Sequence, residues 1–352
     1  FGSPLLMEEL ELAAPKADEV LVRVVAVGIC QTDLSMMRGM PVPVQLPFVL
    51  GHEGAGVVEQ VGPGVHDLSV GDHVVLSFEH CNACGQCSAG HAAYCQRFFV
   101  NFSGRRVDGS ASLNAGDEIV GANFFGQSSF ATYALARGQN VVKVEQDLPL
   151  ETLGPLGCGI QTGAGAIFNV LQPEPGASLA IFGAGAVGLS ALMAAKVAGA
   201  SPLIVVDLVD ARLELARELG ATHVINAAQE DAVEAIRRVA PAGVVYSLDA
   251  SGAPPAISAA MDVLAVRGTC GIVGGGPPVQ MNTPHIMTGG RVIKGIGMGD
   301  SVPDLLIPKI IRLHREGRFP FERMIRFYDF ARINEAIAAS ASGEAIKPVL
   351  RM

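Results

Sequence analysis

The chain has 352 residues, 49% of them hydrophobic and 17% charged, which suits about two domains with packed cores of their own. Its 42 glycines and 21 prolines make it turn-rich without reaching a disordered composition. The formal net charge of −9 argues against nucleic acid and anionic membranes as main partners, because both need a basic surface.

In chain order, residues 20–27, 56–61, 73–76 and 131–144 are β-like runs separated by Gly, Pro and Asp. They predict a mainly β domain over the first 150 residues. No secretory leader is visible, and the chain starts at Phe1 without a Met, so a short preceding segment is expected. Cytoplasmic residence follows as the expectation. Five of the seven cysteines, Cys30, Cys81, Cys84, Cys87 and Cys95, fall in this first part. An odd number bunched in this way is poor material for a disulfide framework and points to metal in a reducing compartment.

Cys81, Cys84, Cys87 and Cys95 are separated by two, two and seven residues. Thiolates so close in sequence can wrap one tetrahedral ion, at a Zn–S distance of about 2.3 Å. Four sulfurs close the coordination shell, so such a zinc would be structural. Disulfides and an iron–sulfur cluster are the competing uses of these ligands.

The middle of the chain contains two uncharged stretches, 152–173 and 175–195, long enough to span a membrane by length alone. Repeated Gly and Pro break both, which fits buried strand–loop–helix units better. Strands are predicted at 178–182, 203–206, 222–225, 244–248, 269–273 and 292–296. Helices are predicted at 188–200, 210–219, 230–240 and 254–265. This alternation predicts an α/β domain with a doubly wound parallel sheet. Beyond residue 300, helices at 303–316 and 331–342 and a strand at 347–350 are expected to return to the first domain.

Residues 183–188 read Gly183-Ala184-Gly185-Ala186-Val187-Gly188, after a predicted strand and opening a predicted helix. Asp207 ends the next strand. This is the context a dinucleotide loop requires: Gly183 for the turn, Gly185 for close approach of backbone N–H groups to a pyrophosphate, Gly188 for helix–strand packing. Asp207 would accept from the ribose hydroxyls and repel a 2′-phosphate, favouring NAD over NADP; nearby Arg212 weighs the other way.

Cys30-Gln31-Thr32-Asp33, Gly51-His52-Glu53 and Leu156-Gly157-Cys158 are far apart in the chain. Each alone fits a small buried cysteine or a hydrogen-bonded core histidine. Beside a nicotinamide site they make a Cys–His–Cys metal set with an open fourth position, where an alcohol oxygen can bind.

With these motifs, and with the run Cys158-Gly-Ile-Gln-Thr162-Gly and the triplet Ile346-Lys347-Pro348, the chain resembles the medium-chain, zinc-dependent alcohol dehydrogenases over nearly its whole length. Segments 101–104, 108–110 and 124–130 resemble the aryl-alcohol (benzyl-alcohol) branch. The resemblance implies a GroES-like catalytic domain at 1–159 and 298–352 and a Rossmann domain at 160–297. It implies two zinc ions per chain. One would be catalytic, on Cys30, His52 and Cys158 in a cleft between domains; the other would be structural, on the four-cysteine lobe.

Further roles follow from the same resemblance. Asp33 would orient His52, and Glu53 would lie behind the metal. Gln31 and Lys347 would face the pyrophosphate, and Thr162, Val273 and Gly274 the nicotinamide half. Ala186 and Val187 belong to the cofactor loop, and Arg212 lies near the ribose. Thr32 would take the alcohol proton as hydride passes to NAD, giving the aldehyde reversibly. Ser35 stands where many relatives carry a relay histidine, which puts the outer proton route in doubt. Phe124 and Phe125 would line a pocket for primary aryl or allylic alcohols, unless they only pack the core. Medium-chain aliphatic alcohols are the alternative substrates, and a catalytically silent NAD-binding scaffold is the alternative class. A homotetramer, or else a dimer, is the expected assembly.

Overall fold

The Val-rich run near the start forms the long strand Glu19–Gly28. In the computed structural model, which describes residues 2–39, 43–44 and 46–352, this strand centres a seven-stranded sheet. One edge of it pairs antiparallel with Gly54–Val61. The other edge is shared by Tyr133–Arg137 and Lys347–Arg351, also antiparallel. His73–Leu76 and Val141–Val144 continue beyond Gly54–Val61, and Ile325–Asp329 lies parallel to Lys347–Arg351. Val20, Val22, Val24 and Ala26 are fully or almost fully buried, while Arg23 points out and pairs with Glu59. This is the period-two pattern of a sheet with one face on the core.

The predicted run 131–144 divides in the structure. A 3-10 turn at Gly138–Asn140 separates Tyr133–Arg137 from Val141–Val144. The two halves pair with different strands, Glu19–Gly28 and His73–Leu76. A small antiparallel sheet of Glu11–Leu12, Leu113–Ala115 and Glu118–Val120 is an addition that no long apolar run announces.

The chain divides into two compact units. The first runs to Cys158 and includes Val302–Pro308 and Glu322–Met352; the second is Gly159–Ser301 with Lys309–Phe321. The second unit is built on six strands in the spatial order His223–Asn226, Leu203–Asp207, Leu179–Phe182, Val244–Asp249, Leu264–Ile272, Val292–Gly295, every pair parallel. All four residues of Leu179–Phe182 are buried, as expected of a strand covered by helices on both faces. Phe182, Ile204, Ile236, Ile257 and Leu264 share one core cluster. Helices Ala186–Ala198, Asp210–Leu219, Ala232–Val239 and Pro254–Asp262 connect the strands. The architecture is therefore a doubly wound α/β unit and a mainly antiparallel β unit, as the sequence predicts. Among the described residues no helix is long and apolar enough to cross a membrane. The first uncharged stretch contains the short helix Gly159–Gly165 and a π-turn at Ala166–Leu171. The second is the strand–loop–helix from Leu179 to Ala198.

Candidate functional site

The four-cysteine segment folds on itself. A one-turn helix, Gly85–Ser88, carries Cys87 back toward Cys81 and Cys84. The four sulfurs of Cys81, Cys84, Cys87 and Cys95 lie within 4.8 Å of one another, with Cys84 Sγ 3.5 Å from Cys87 Sγ. Backbone N–H groups point at sulfur: Cys84 donates to Cys81 Sγ, and Cys81 and Arg97 donate to Cys95 Sγ, each at 3.3 Å. Such donors favour thiolate. Backbone amides of Cys87 and Gln96 bring the Cys84 thiol down to about 6. All seven cysteines are free thiols, so the disulfide alternative is not realised.

The second set is assembled from distant segments. Cys30 caps the helix Gln31–Arg38, and Asp33 Oδ2 accepts from the Cys30 backbone N–H at 2.9 Å. The other oxygen of Asp33 meets His52 Nδ1 at 3.0 Å and the Gly51 N–H at 3.2 Å. One buried carboxylate thus fixes the backbone of the first ligand and the ring of the second. With Nδ1–H donating to Asp33, the lone pair of His52 lies on Nε2. That atom is buried and has no hydrogen-bond partner. A ring nitrogen of His52 lies within 4.8 Å of the Cys30 and Cys158 sulfurs and of a Glu53 oxygen. A thiol held toward thiolate and an orphaned imidazole nitrogen are the donor set that zinc takes. The hydrogen bond with Cys158 is the largest influence drawing the Cys30 thiol well below its ordinary range. Burial works to lower His52, but Asp33 and the neighbouring Cys30 raise it well above its usual value.

Thr32 is half-buried, with Oγ1 3.8 Å from Cys30 Sγ, while Gln31 is exposed at the first position of the helix. Phe124 and Phe125 are buried. The Phe125 ring stacks on His52 at 4.7 Å, and Phe124 meets it edge-on at 5.3 Å. Phe102 packs against both, and Phe98 against Phe125. Both phenylalanines are thus core residues and imidazole neighbours at once.

Lys347 departs from expectation. Its ammonium is buried and donates to both Glu53 oxygens, at 2.8 and 3.0 Å, and to the Ile29 carbonyl at 3.1 Å. All three N–H donors are used, which leaves none for a pyrophosphate. Burial opposes its charge, but Glu53 and Cys30 hold its pKa above the ordinary value. Gly28 makes room for the pair: a Cβ there would lie 2.1 Å from Glu53 Oε2.

In the second unit the glycine loop takes the expected form. A Cβ on Gly188 would stand 1.8 Å from the Gly183 carbonyl, whereas Gly185 faces open space at the head of helix Ala186–Ala198. Ala186 and Val187 form the first turn of that helix. Asp207 accepts from Ala184 N–H at 2.7 Å through one oxygen and from Leu208 and Val209 N–H through the other. Arg212 stands 3.9 Å from it. Val273 and Gly274 N–H both donate to the Asp249 carbonyl. Thr162 Oγ1 is buried in helix Gly159–Gly165 with no partner. The exposed amide loop, the acidic strand end and this orphaned hydroxyl fit a dinucleotide.

Comparison with known proteins agrees with this chemistry. Residues 16–146 match the alcohol dehydrogenase GroES-like domain, and residues 186–312 the zinc-binding dehydrogenase domain. Geraniol dehydrogenase of Castellaniella defragrans is 49% identical over 99% of this chain and 95% of its own. The chain belongs to the zinc-dependent medium-chain alcohol dehydrogenases. Among solved structures, an alcohol dehydrogenase zinc-binding domain protein from Burkholderia ambifaria superposes with a TM-score of 0.96 at 52% identity, covering 100% of this chain and 96% of that one. Benzyl alcohol dehydrogenase from Acinetobacter calcoaceticus does so with 0.93 at 48%, covering 97% and 94%.

Several residues around this alcohol dehydrogenase's sites carry no local signal. Glu79 and Asn101 brace the start of the cysteine lobe: Glu79 N–H donates to Asn101 Oδ1 at 2.8 Å, and Asn101 Nδ2 returns to the Glu79 carbonyl at 3.0 Å. Arg137 closes on the buried Glu79 carboxylate at 3.1 Å. Gln127 bonds the His52–Gly54 segment, more than 70 residues away.

Proposed function

We propose that this dehydrogenase oxidises primary aryl or allylic alcohols to aldehydes with NAD, reversibly. The observation that carries the substrate class is the stacking of Phe125 and the edge contact of Phe124 on His52. Phe124 is wholly buried, so Phe125 is the ring of the pair that a substrate beside His52 could touch, and such a contact favours a flat, π-bonded substituent by about 0.5–1.5 kcal/mol beyond burial. The named substrates of two relatives, geraniol and benzyl alcohol, support the same class. Both are primary alcohols whose carbinol carbon adjoins a π-bonded carbon.

In this proposal Cys30, His52 and Cys158 hold the catalytic zinc, and Cys81, Cys84, Cys87 and Cys95 the structural one. Zinc supplies a Lewis acid that lowers the pKa of the alcohol. Thr32 Oγ1 accepts the alcohol proton, Asp33 keeps His52 in its ligating tautomer, and Lys347 holds the Glu53 carboxylate. The first compact unit is the catalytic domain and the second the NAD domain, with Lys309–Phe321 counted in the second rather than in the expected 298–352 return, and Asp207 selects against a 2′-phosphate. The working form is a cytoplasmic homotetramer, to be checked by light scattering.

A steady-state panel of benzyl, cinnamyl, hexyl and secondary alcohols with NAD⁺ and NADP⁺ tests the substrate and cofactor assignments. The expected order in kcat/KM places benzyl and cinnamyl alcohol at least tenfold above hexanol, with NAD⁺ preferred. Hexanol equal to or above benzyl alcohol contradicts the substrate class.

A further inference from the structure

The two peptides that flank Glu53 are gripped by one side chain. Gln127 Oε1 accepts from the Gly54 N–H at 3.0 Å, and Gln127 Nε2 donates to the His52 carbonyl at 3.0 Å. The same amide accepts from Ser129 Oγ at 2.9 Å and donates to the Ser77 carbonyl at 3.3 Å. Gln127 is 2% exposed, and these four bonds use both acceptor sites and both donors of its amide. The chain continues through Ser77, whose hydroxyl donates to the carbonyl of Gly157, the residue before Cys158.

With Asp33, which ties Cys30 to His52, the bonds run from Cys30 through Asp33, His52, Gln127 and Ser77 to Gly157. They link the three chain segments that carry the second metal set. Cys30, His52–Glu53 and Ser77 lie just beyond the ends of strands in one sheet, where Gly54–Val61 pairs with Glu19–Gly28 and His73–Leu76, and Gln127 adds side-chain bonds from the His52–Glu53 segment to Ser77 where that pairing ends.

We infer that Gln127 is a positioning residue for the catalytic zinc site, setting His52 and Glu53 against Cys158 through their backbone. The inference rests on the assignment of zinc to Cys30, His52 and Cys158. A group that touches no metal acts here by limiting how far the ligand segments can part. Loss of its four bonds leaves the His52 carbonyl and the Gly54 N–H without these partners, while Asp33, the Lys347–Glu53 pair and the bond from the Gly28 N–H to the Glu53 carbonyl remain. The cysteine lobe lies outside this linkage and serves as an internal reference.

The test is chelator-driven zinc release from the intact enzyme, followed with a chromogenic chelator, together with the visible absorption of the enzyme carrying Co²⁺ at the same site. Gln127→Met preserves length and removes every hydrogen bond; Ser129→Ala removes one bond from the amide. In Gln127→Met, release of one zinc is expected to accelerate about tenfold or more, with the second unchanged and the cobalt bands shifted. In Ser129→Ala about a threefold acceleration is expected; this variant decides the matter if Gln127→Met does not fold. Wild-type release rates and cobalt bands in the variant that folds would overturn the inference, whatever its melting temperature. A wild-type enzyme holding fewer than two zinc ions would instead remove the assignment beneath it.

Discussion

The two candidate metal sets of this alcohol dehydrogenase are built in opposite ways. The four-cysteine lobe takes all its ligands from one 15-residue segment, and its own backbone N–H groups hydrogen-bond the sulfurs. The Cys30–His52–Cys158 set gathers ligands from three distant segments and depends on buried side chains, Asp33, Gln127 and Ser77, to hold them together. A local set has little reason to fold without its ion. A distributed set rests on a sheet and core that exist in any case, so its ion can be exchanged and its fourth position left open for a substrate.

Substitutions can break this contrast, and the largest effect is expected in the lobe. If the lobe holds the proposed structural zinc, Cys81→Ser removes one ligand from a closed shell whose metal would contribute directly to folding. The melting temperature should fall by about 10 °C or more, or the protein should fail to accumulate. A stable, well-folded variant lacking only activity would contradict a structural lobe. His52→Ala is the matching test of the distributed set. Turnover should fall by about three orders of magnitude or more, with one zinc lost and only a few degrees of melting temperature. Equal destabilisation by both substitutions would erase the distinction.

Thr32→Ala is expected to act more gently, because in the proposed mechanism Thr32 is a proton acceptor and not a ligand. A drop of about 10²-fold in kcat with full zinc content is the expected result in steady-state and metal assays. Turnover near wild type would give the proton to another group. The smallest effect is expected at Asp207. Asp207→Asn keeps much of the hydrogen bonding to Ala184, Leu208 and Val209 while removing the charge. The preference for NAD⁺ over NADP⁺ should fall about tenfold, since one charged hydrogen-bond partner is lost. An unaltered ratio of kcat/KM would place the selectivity elsewhere.

What could be read in the sequence follows the same division. The cysteine spacing, the glycine loop with Asp207 and the alternation of strand and helix are local patterns, and each matches the geometry found. Helix Asp210–Leu219 and strand His73–Leu76 coincide with the expected limits. Strand Leu264–Ile272 starts five residues before the expected 269, because its pairing with Val244–Asp249 begins at Leu264 and shifts register before Tyr246. The break at Gly138–Asn140 was hidden because both flanking runs are apolar, and only their different partners separate them.

Residues that act across the fold were the least legible. Lys347 was expected at the pyrophosphate, but burial beside Glu53 satisfies its charge more completely than an exposed position would. Nothing near Gln127 in the chain indicates that its amide will meet Gly54, His52 and Ser77. Phe124 and Phe125 could be read as pocket or core, and their position on His52 within an aromatic cluster makes them core neighbours of a ligand. Polar residues that hold a site together have no spacing rule, since their partners come from tertiary structure.

The contrast between a closed local set and an open distributed one is tested most directly by counting zinc in three purified proteins, by elemental analysis per chain: wild type, His52→Ala and Cys158→Ser. Two zinc ions in the wild type and one in each folded variant is the predicted result. One or none in the wild type, or two in both variants, would contradict a catalytic zinc on Cys30, His52 and Cys158.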